Sequence, residues 1–386
     1  MKLIENYWRS INNKIRICIL GGGNIGTLLL GHIGKQNNIE VNLYTSKPDK
    51  WNNEIEIYDI NNVVKCRGQV NGISDKPEEV LKDSDIIIST LPSHIFPNVL
   101  RKISPFIKDK AWIGVMPGSG GVEFLCKDLI RKGCTLFGFQ RVFGISRVKE
   151  YGKSVFDLGR KDELFIASIP IEKTVKVCMV MQSILNIKCR PLKNFLNVTL
   201  TPSNPILHTT RLYSMFHSYK KGMSWNSKIN FYEDWTDKSS DILIACDDEL
   251  QKMCHRINGL DLRGVRSLKN HYESETSEKM TQKISSILAF KGIKTPMKKT
   301  KDGYIPDFKS RYFLEDFPYG LCIIKGFCDI LGLDTPNIDK VLKWFEKIAG
   351  VEYYIDGTFK GKDLEELPLP KNYGVNSIED IVNYYR

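Results

Sequence analysis

The sequence predicts an α/β amino-terminal domain built on a doubly wound parallel sheet, followed by a mainly α-helical carboxyl-terminal domain. Three observations favour this order. A strand-like apolar run near the start of the chain leads into a glycine-rich turn and an apolar helix. Strand and helix patterns then alternate as far as about residue 190, as in sheets assembled from βαβ units. Beyond that point helical patterns dominate.

The first element is the apolar run 15–20, which is typical of a buried strand. Gly21, Gly23 and Gly26 follow it with the spacing G-x-G-x-x-G, and a helical pattern covers 27–33. In this strand–turn–helix context the spacing is the fingerprint of a Rossmann-type dinucleotide-binding domain. The first glycine permits the tight turn, the second lets the backbone approach a pyrophosphate, and the third allows close helix–strand packing. The predicted cofactor-binding residues here are Gly21, Gly23, Asn24, Ile25 and Gly26.

Further strand patterns follow the glycine-rich turn and continue the alternation with helices. They cover residues 39–45, 54–70, 85–92, 111–117 and 163–170, and helical patterns between them include 96–107 and 122–132. Ligands gather at the carboxyl ends of parallel strands in such sheets. We therefore add Leu91 and Pro92, which end one of these strands, to the predicted cofactor-binding residues.

Near residue 190 the alternation of strand and helix patterns gives way to helical patterns, and we place the domain boundary there. The first domain is predicted to span residues 1–190 and the second residues 191–386, with the segment 189–205 joining them. The polar, proline-bearing segment 360–375 is expected to form an extended surface loop. The helical patterns of the second domain cover 210–220, 239–257, 274–290, 319–333 and 337–349.

The end of the second predicted strand bears on which nicotinamide cofactor is used. Many NAD sites place an Asp or Glu there to bind the ribose 2′-hydroxyl. In this chain the place is taken by Thr45, Ser46 and Lys47, and no carboxylate occurs from Val41 to Pro48. Hydroxyl groups followed by a lysine suit a 2′-phosphate through hydrogen bonds and charge. We therefore predict that NADP is preferred over NAD, unless these residues only begin a loop.

Composition limits the class of protein and its partners. The 386 residues are 42% hydrophobic and 26% charged, which is typical of a soluble globular protein. The ten cysteines are scattered without metal-binding spacing, so we expect buried thiols, no metal and a cytoplasmic location. The net charge of +11 is spread along the chain without a nucleic-acid-binding motif, so no nucleic-acid partner is expected. No signal peptide or membrane-spanning apolar stretch is visible, so no membrane partner is expected either.

Two stretches in the helical half stand out. Residues 201–208 read TPSNPILH, and residues 311–320 read RYFLEDFPYG. With these stretches and the amino-terminal glycine fingerprint, the chain resembles the opine dehydrogenase family of the octopine and nopaline dehydrogenase type. Residues 332–339 resemble the family's next helix–loop–helix junction. The resemblance is collinear from about residue 14 to residue 345, which is most of the chain.

The resemblance implies a reductive condensation. The amine of an amino acid and a 2-oxo acid form an imine, and a hydride from NAD(P)H reduces the imine to a secondary amine. Carried over by position, His208 is the general acid and base, and Asp316 orients and charge-stabilises its imidazole. Arg311 would clamp a substrate carboxylate, and Asn204 would line the site. The two substrates are not legible in the sequence, and a homodimer is compatible with it.

These assignments agree with the chemistry but leave simpler interpretations open. Dehydration of a carbinolamine and protonation of an imine need a group that titrates near neutral pH, which histidine provides. His208 taken alone would more often be a structural histidine, and Arg311 and Asp316 are compatible with a mutual ion pair or a helix cap. The region of Gln140 and Arg141 faces the cleft in the family, so the resemblance places them near the substrate.

Two other functions remain open at this point. A 2-oxo acid or 3-hydroxyacid reductase of the ketopantoate reductase type commonly relies on a lysine of the helical domain, and Lys221 and Lys343 are available. A non-catalytic, NAD(P)-sensing protein would use the sheet domain for binding only. The aromatic-rich loop 224–235 either lines an amino-acid pocket or fills the core.

Overall fold

The computed structural model describes residues 14–386, which form two compact units that divide between Thr199 and Leu200. The sequence-based division lies earlier, after residue 190. The segment 189–205 was predicted to join the domains, but its first residues continue a strand of the main sheet. The helical turn Leu196–Thr199 is completely buried and also belongs to the first unit.

The first unit contains the strands β1–β12 and the helices α1–α7. The strands span, in order, Ile15–Leu20, Ile39–Tyr44, Glu54–Tyr58, Val64–Gln69, Gly72–Ser74, Ile86–Ser89, Trp112–Val115, Thr135–Phe139, Gly144–Glu150, Ser154–Arg160, Glu163–Ile169 and Lys188–Pro191. The helices span Asn24–Ile33, Pro77–Val80, Phe96–Ile103, Val122–Leu125, Lys127–Arg131, Thr174–Leu185 and Leu196–Thr199. The 3-10 turns span Pro48–Lys50, Ser104–Phe106 and Ile171–Lys173.

The main sheet confirms the predicted doubly wound α/β fold. Its eight strands lie in the order β12-β11-β8-β7-β6-β1-β2-β5. All neighbouring pairs are parallel except β8 and β11. The chain moves outward from β1 to β2 and β5 and then returns to β6 on the other side of β1. Such a reversal of strand order beside β1 opens a crevice at the carboxyl ends of the strands, where ligands bind in these folds.

A second sheet, with the order β4-β3-β10-β9, packs on helix α1. The sequence predicted short strands within 54–70, whereas β8, β9 and β10 were not predicted. Two glycines allow the helix to touch this sheet: a Cβ at Gly31 would lie 2.8 Å from a side-chain carbon of Ile57, and one at Gly68 would lie 2.3 Å from the Gly31 carbonyl oxygen. Helix α1 is buried from Gly26 to Ile33, and these glycines place its backbone directly against β4.

The second unit is mainly helical, which confirms the prediction of a mainly α-helical carboxyl-terminal domain. Helices α8–α15 span Pro205–Phe216, Asp237–Arg256, Leu268–Tyr272, Ser277–Ser286, Arg311–Leu314, Cys322–Ile330, Pro336–Ala349 and Ile378–Tyr385. A π-helical turn spans Phe317–Leu321. Strands β13–β16 form two hairpins, Met297–Thr300 with Gly303–Pro306 and Tyr354–Ile355 with Thr358–Phe359. The 3-10 turns span Leu288–Phe290, Lys362–Leu364 and Pro370–Tyr373.

The prediction of an extended surface loop over 360–375 is wrong. Two 3-10 turns form there, and Leu364, Leu367 and Leu369 are each less than a tenth exposed. Pro370 contacts the helix α13 at Gly326, where an added Cβ would lie 3.2 Å from the proline ring. The buried leucines of this segment are widely spaced among charged residues and prolines, a pattern that matches neither helical nor strand periodicity.

The cysteines lie where the composition suggested. In the part of the chain that the structure describes, all are free thiols, and all except Cys66 are buried. Across residues 14–386 no helix combines the length and apolar character needed to cross a membrane.

Candidate functional site

The glycine-rich turn joins β1 to α1 and is shaped by the lack of side chains. Gly21 adopts a φ of +95°, which favours glycine. A Cβ at Gly26 would lie 1.9 Å from the Gly21 carbonyl oxygen, so the third glycine is required for the helix to pack on the turn. A Cβ at Gly23, in contrast, would meet no protein atom within 4 Å. The space in front of Gly23 is therefore open to a ligand.

The start of helix α1 supplies the polar groups of this open space. Gly23 is the N-cap residue, no side chain caps the helix, and the first turn carries no acidic residue. The first backbone N–H groups of a helix lack partners within the helix and attract anions. These features fit the pyrophosphate of a dinucleotide, as the sequence predicts for Gly21, Gly23 and Gly26. The roles of these residues in binding remain predictions.

The predicted residues Asn24 and Leu91 border the same turn. The Asn24 side-chain oxygen accepts a hydrogen bond of 2.8 Å from the Val148 N–H on β9, so its side chain ties the turn to the second sheet. Asn24 and Ile25 can therefore offer their backbone N–H groups to a ligand. The Leu91 side chain lies over Gly21, where an added Cβ would be 2.8 Å away. The carbonyl of Pro92 accepts hydrogen bonds from the start of α3.

Trp51 is a neighbour of the turn that sequence reasoning missed. Its indole is 7% exposed and lies so close to Gly22 that an added Cβ there would be 2.0 Å from Cζ2. It also packs edge-on against Tyr151, with 5.4 Å between the ring centroids. Nothing in the sequence around this tryptophan indicates that its side chain will pack against the glycine-rich turn.

The predicted 2′-phosphate residues follow β2 in a short turn. Thr45 is buried, its N–H donates to the Ser74 carbonyl at 3.0 Å, and its hydroxyl accepts a 3.4 Å hydrogen bond from the Lys47 N–H. Ser46 and Lys47 are exposed. The turn thus presents one hydroxyl and one ammonium group to solvent beside the cofactor-binding end of the sheet.

In the second unit, the structure brings together His208 and Asp316, which lie 108 residues apart in the sequence. Helix α8 begins with Pro205 and carries His208 in its first turn. Asp316 precedes the π-helical turn and accepts a 2.8 Å hydrogen bond from Nδ1 of His208. Burial raises the pKa of Asp316 above its ordinary value, and the neighbouring His208 opposes that rise. Because the carboxyl oxygen accepts at Nδ1, the hydrogen of the neutral ring lies on that nitrogen.

The other ring nitrogen of His208 faces Tyr232. The Tyr232 hydroxyl lies 3.0 Å from Nε2 and donates to it when the ring is neutral. Tyr232 is 6% exposed, and its ring stacks on Phe290 with 4.1 Å between centroids. Two further rings enclose the imidazole, Phe231 at 5.6 Å and Tyr312 at 4.7 Å. The aromatic loop 224–235 therefore contributes directly to the surroundings of His208.

Arg211, one turn beyond His208 on α8, holds that loop in place. Its guanidinium donates to the carbonyl oxygens of Phe231 at 2.8 Å and Asp234 at 2.6 Å, and to the Ser239 hydroxyl at 2.9 Å. The side chain is buried, and burial lowers the pKa of Arg211 to about 10, so it stays charged at neutral pH. Sequence reasoning missed Arg211 and its hydrogen bonds to the loop that carries Tyr232.

The side chains of the other two predicted substrate residues in this unit, Arg311 and Asn204, do not hydrogen-bond to His208, Asp316 or Tyr232 in the contacts described. Arg311 is 66% exposed and pairs with Glu315, donating to its carboxylate from Nε at 2.9 Å and Nη2 at 2.8 Å. Its ion pair is therefore with Glu315 and not with Asp316, which removes one of the simpler interpretations. Asn204 is exposed at the N-cap of α8, where its carbonyl accepts the His208 N–H at 3.0 Å.

Gln140 and Arg141 belong to the first unit and follow β8. The Gln140 amide donates to the Asn197 carbonyl at 3.1 Å. The charge of Arg141 adds to burial in lowering the pKa of Lys161, so two cationic side chains lie near each other here. Lys221 and Lys343, considered for a different reductase, are both exposed in the second unit.

Comparison with known proteins adds independent findings on both units. Residues 191–349 match the family described as NAD/NADP octopine/nopaline dehydrogenase, alpha-helical domain. Residues 16–127 match the family described as NAD-dependent glycerol-3-phosphate dehydrogenase N-terminus.

Two curated relatives are similar over nearly the whole chain. Tauropine dehydrogenase of Arabella iricolor is 28% identical, over 95% of this chain and 99% of the relative. Octopine dehydrogenase of Mizuhopecten yessoensis is 26% identical, over 95% of this chain and 98% of the relative.

Among solved structures, octopine dehydrogenase in complex with NADH and agmatine superposes with a TM-score of 0.84 and 26% identity, covering 96% of this chain and 98% of that one. Yersinopine dehydrogenase with NADP+ bound has a TM-score of 0.64 at 12% identity, with 97% and 98% covered, which is a likeness of fold.

Proposed function

Because this chain belongs to the opine dehydrogenase family, we propose that it catalyses the NAD(P)H-dependent reductive condensation of an amino acid with a 2-oxo acid. The product is an N-(carboxyalkyl) amino acid. The observation that carries the proposal is the 2.8 Å hydrogen bond between His208 and Asp316, in the unit that matches the family's helical domain. Structures of the related octopine dehydrogenase contain NADH with agmatine, L-arginine or pyruvate, which agrees with these substrate classes.

His208 supplies the proton that the condensation needs. The amine nitrogen adds to the carbonyl carbon of the oxo acid, and the resulting hydroxyl leaves as water once it is protonated. The imidazolium of His208 gives that proton and becomes neutral. The Asp316 carboxylate fixes the Nδ1–H and stabilises the positive charge of the ring before transfer. Positioned proton transfer of this kind contributes about 10²–10⁴-fold to a rate.

The glycine-rich turn holds the dinucleotide in this proposal. The N–H groups at the start of α1 would bind the pyrophosphate, and Leu91 and Pro92 would border it. The open space at Gly23 fits this role because a side chain there would meet no protein atom. When bound, the nicotinamide supplies the hydride that reduces the imine carbon.

Arg311 is the proposed clamp for a substrate carboxylate. Its exposed guanidinium is held at two nitrogens by Glu315, which orients the remaining N–H donors as a planar fork suited to a carboxylate. Asn204, Gln140 and Arg141 are proposed to line the substrate site.

We further propose that NADPH is preferred over NADH. Ser46 and Lys47 are exposed after β2, and the sequence has no carboxylate from Val41 to Pro48. The test compares kcat/KM for the two cofactors in the wild type and in Lys47→Ala. We expect the variant to lose several-fold in kcat/KM with NADPH and little with NADH. A wild type that prefers NADH would overturn this assignment.

The function is tested by NADPH oxidation with pyruvate or 2-oxoglutarate, with and without amino acids and taurine. Oxidation that requires the amine, and that His208→Ala reduces by about 10²-fold or more, supports an opine dehydrogenase. Oxidation by an oxo acid alone would indicate a reductase of the ketopantoate reductase type. NADPH binding without any turnover would favour an NAD(P)-sensing protein.

A further inference from the structure

We propose that Tyr232 is a further catalytic residue, whose phenol passes the proton between Nε2 of His208 and the substrate. The inference rests on the proposed function, because it concerns the proton that the condensation consumes. The starting observation is that both nitrogens of the catalytic imidazole already have partners: Asp316 at 2.8 Å and Tyr232 at 3.0 Å.

Nε2 is the ring nitrogen that must deliver the proton. Nδ1 is directed at the buried carboxyl group of Asp316, which is 9% exposed. Any proton that leaves the imidazolium toward a substrate therefore leaves from Nε2. That path begins at the Tyr232 oxygen, so a substrate either displaces the phenol or receives its proton.

The surroundings of Tyr232 argue against displacement. Its ring stacks on Phe290, at 4.1 Å and 19°, and lies parallel to Trp235, at 6.3 Å and 7°. The backbone on both sides is fixed, because buried Arg211 binds the carbonyl oxygens of residues 231 and 234, and the Phe231 N–H donates to the Ile293 carbonyl at 2.8 Å. Moving the phenol would disturb the stacked rings and the buried guanidinium together.

A phenol in this position can relay a proton without a change of its own charge. Its oxygen accepts one hydrogen bond while its O–H donates another. In the forward step the Tyr232 O–H bond breaks as its proton joins the carbinolamine hydroxyl, and the Nε2 proton replaces it on the phenol oxygen. His208 ends neutral and Tyr232 ends as it began. The protonated hydroxyl departs as water when the C–O bond breaks, and the nitrogen lone pair forms the C=N bond of the iminium.

The test compares Tyr232→Phe with the wild type in amine-dependent NADPH oxidation. The variant keeps the stacked ring and removes the hydroxyl. We expect kcat to fall by about 10²-fold, while the Kd for NADPH and the KM values for both substrates change less than threefold. Tyr213→Phe is the matched control, because Tyr213 lies on the same helix α8 with its ring stacked on His217, and it is expected to keep wild-type kcat.

A proton inventory gives a second readout that a structural role of Tyr232 would not change. In mixtures of light and heavy water, the wild-type rate should depend on the fraction of heavy water along a curve, because two protons move together. The rate of the slower Tyr232→Phe variant should depend on that fraction linearly. Wild-type kcat in Tyr232→Phe, or a linear profile or no isotope effect in the wild type, would overturn the relay. The wild-type profile decides even if the variant fails to fold. An absence of amine-dependent turnover in the wild type would instead overturn the proposed function itself.

Discussion

The glycine-rich turn of the first unit and the histidine site of the second use opposite means to build a site. The turn depends on missing atoms: a Cβ at Gly26 would collide with the backbone, and one at Gly23 would fill open space. The histidine site depends on atoms that are present: a carboxyl and a phenol oxygen each meet one imidazole nitrogen. Changes in the turn should therefore alter folding or cofactor binding, whereas changes at His208 should alter proton transfer and leave cofactor binding intact.

The largest expected effect that would sharpen this contrast is at Asp316. In Asp316→Asn an uncharged amide replaces the carboxyl group that fixes the His208 tautomer and stabilises the imidazolium. We expect kcat to fall by about 10²–10⁴-fold and the Kd for NADPH to stay within twofold of the wild type. Single-turnover rates and fluorescence titration with NADPH measure the two quantities. A variant with nearly wild-type kcat would contradict the assigned role of the pair.

Two alanine substitutions in the turn test the other side of the contrast. Gly26→Ala places a methyl group 1.9 Å from a backbone oxygen, and such overpacking costs about 1–3 kcal/mol of unfolding free energy. Gly23→Ala meets no protein atom, so its stability should stay within about 0.5 kcal/mol of the wild type. Its affinity for NADPH should nevertheless fall about tenfold, a change of about 1.4 kcal/mol. Urea unfolding and NADPH titration give both values, and unchanged NADPH affinity in Gly23→Ala would remove the cofactor from this space.

Stability should also depend on pH, through a histidine at the far end of α1. Burial, with help from Arg160 and Lys35, lowers the pKa of His32 to about 4. The unfolded chain, whose histidine titrates near 6.5, then binds a proton more readily than the folded one. Stability should therefore fall as the pH decreases from about 6.5 toward 4, by roughly 1 kcal/mol per pH unit. Denaturant unfolding at several pH values measures the slope, which should be shallower in His32→Gln; equal slopes would contradict this account.

Local patterns made the strand, the glycine-rich turn and the following helix predictable. The strand Ile15–Leu20, the turn and the start of α1 are adjacent in sequence, and the glycine spacing itself reflects the required backbone contacts. The pairing of His208 with Asp316 spans 108 residues, and only the resemblance to a family joined the two beforehand. Nothing in the order of residues indicates that the Tyr232 phenol will reach the same ring, or that the Arg211 guanidinium will bind the backbone of the loop that carries this tyrosine.

The errors have a common physical origin. Trp51 and Arg211 take their roles from tertiary contacts, and an isolated tryptophan or arginine has no periodicity that indicates a partner. The segment 360–375 contains few apolar residues, yet Leu364 and Leu369 are buried. The segment 189–205 is short between two patterned regions, but its start pairs with Glu163–Ile169 in the sheet. In each case burial is decided by a distant segment of the chain.

The contact between Gly31 and Gly68 limits which substitutions and insertions this protein can accept during evolution. Helix α1 and strand β4 cross where both residues lack a side chain. The strand can therefore lie against the helix in only one register. A shift of β4 by one residue would bring Arg67 or Gln69 to the crossing and push the helix away. Insertions are tolerable in the exposed hairpin turn at Ile60 and Val63, where added length leaves the crossing unchanged. Related chains are therefore expected to vary in length at that hairpin and to keep the two small residues at the crossing, a pattern that an alignment of such chains would test.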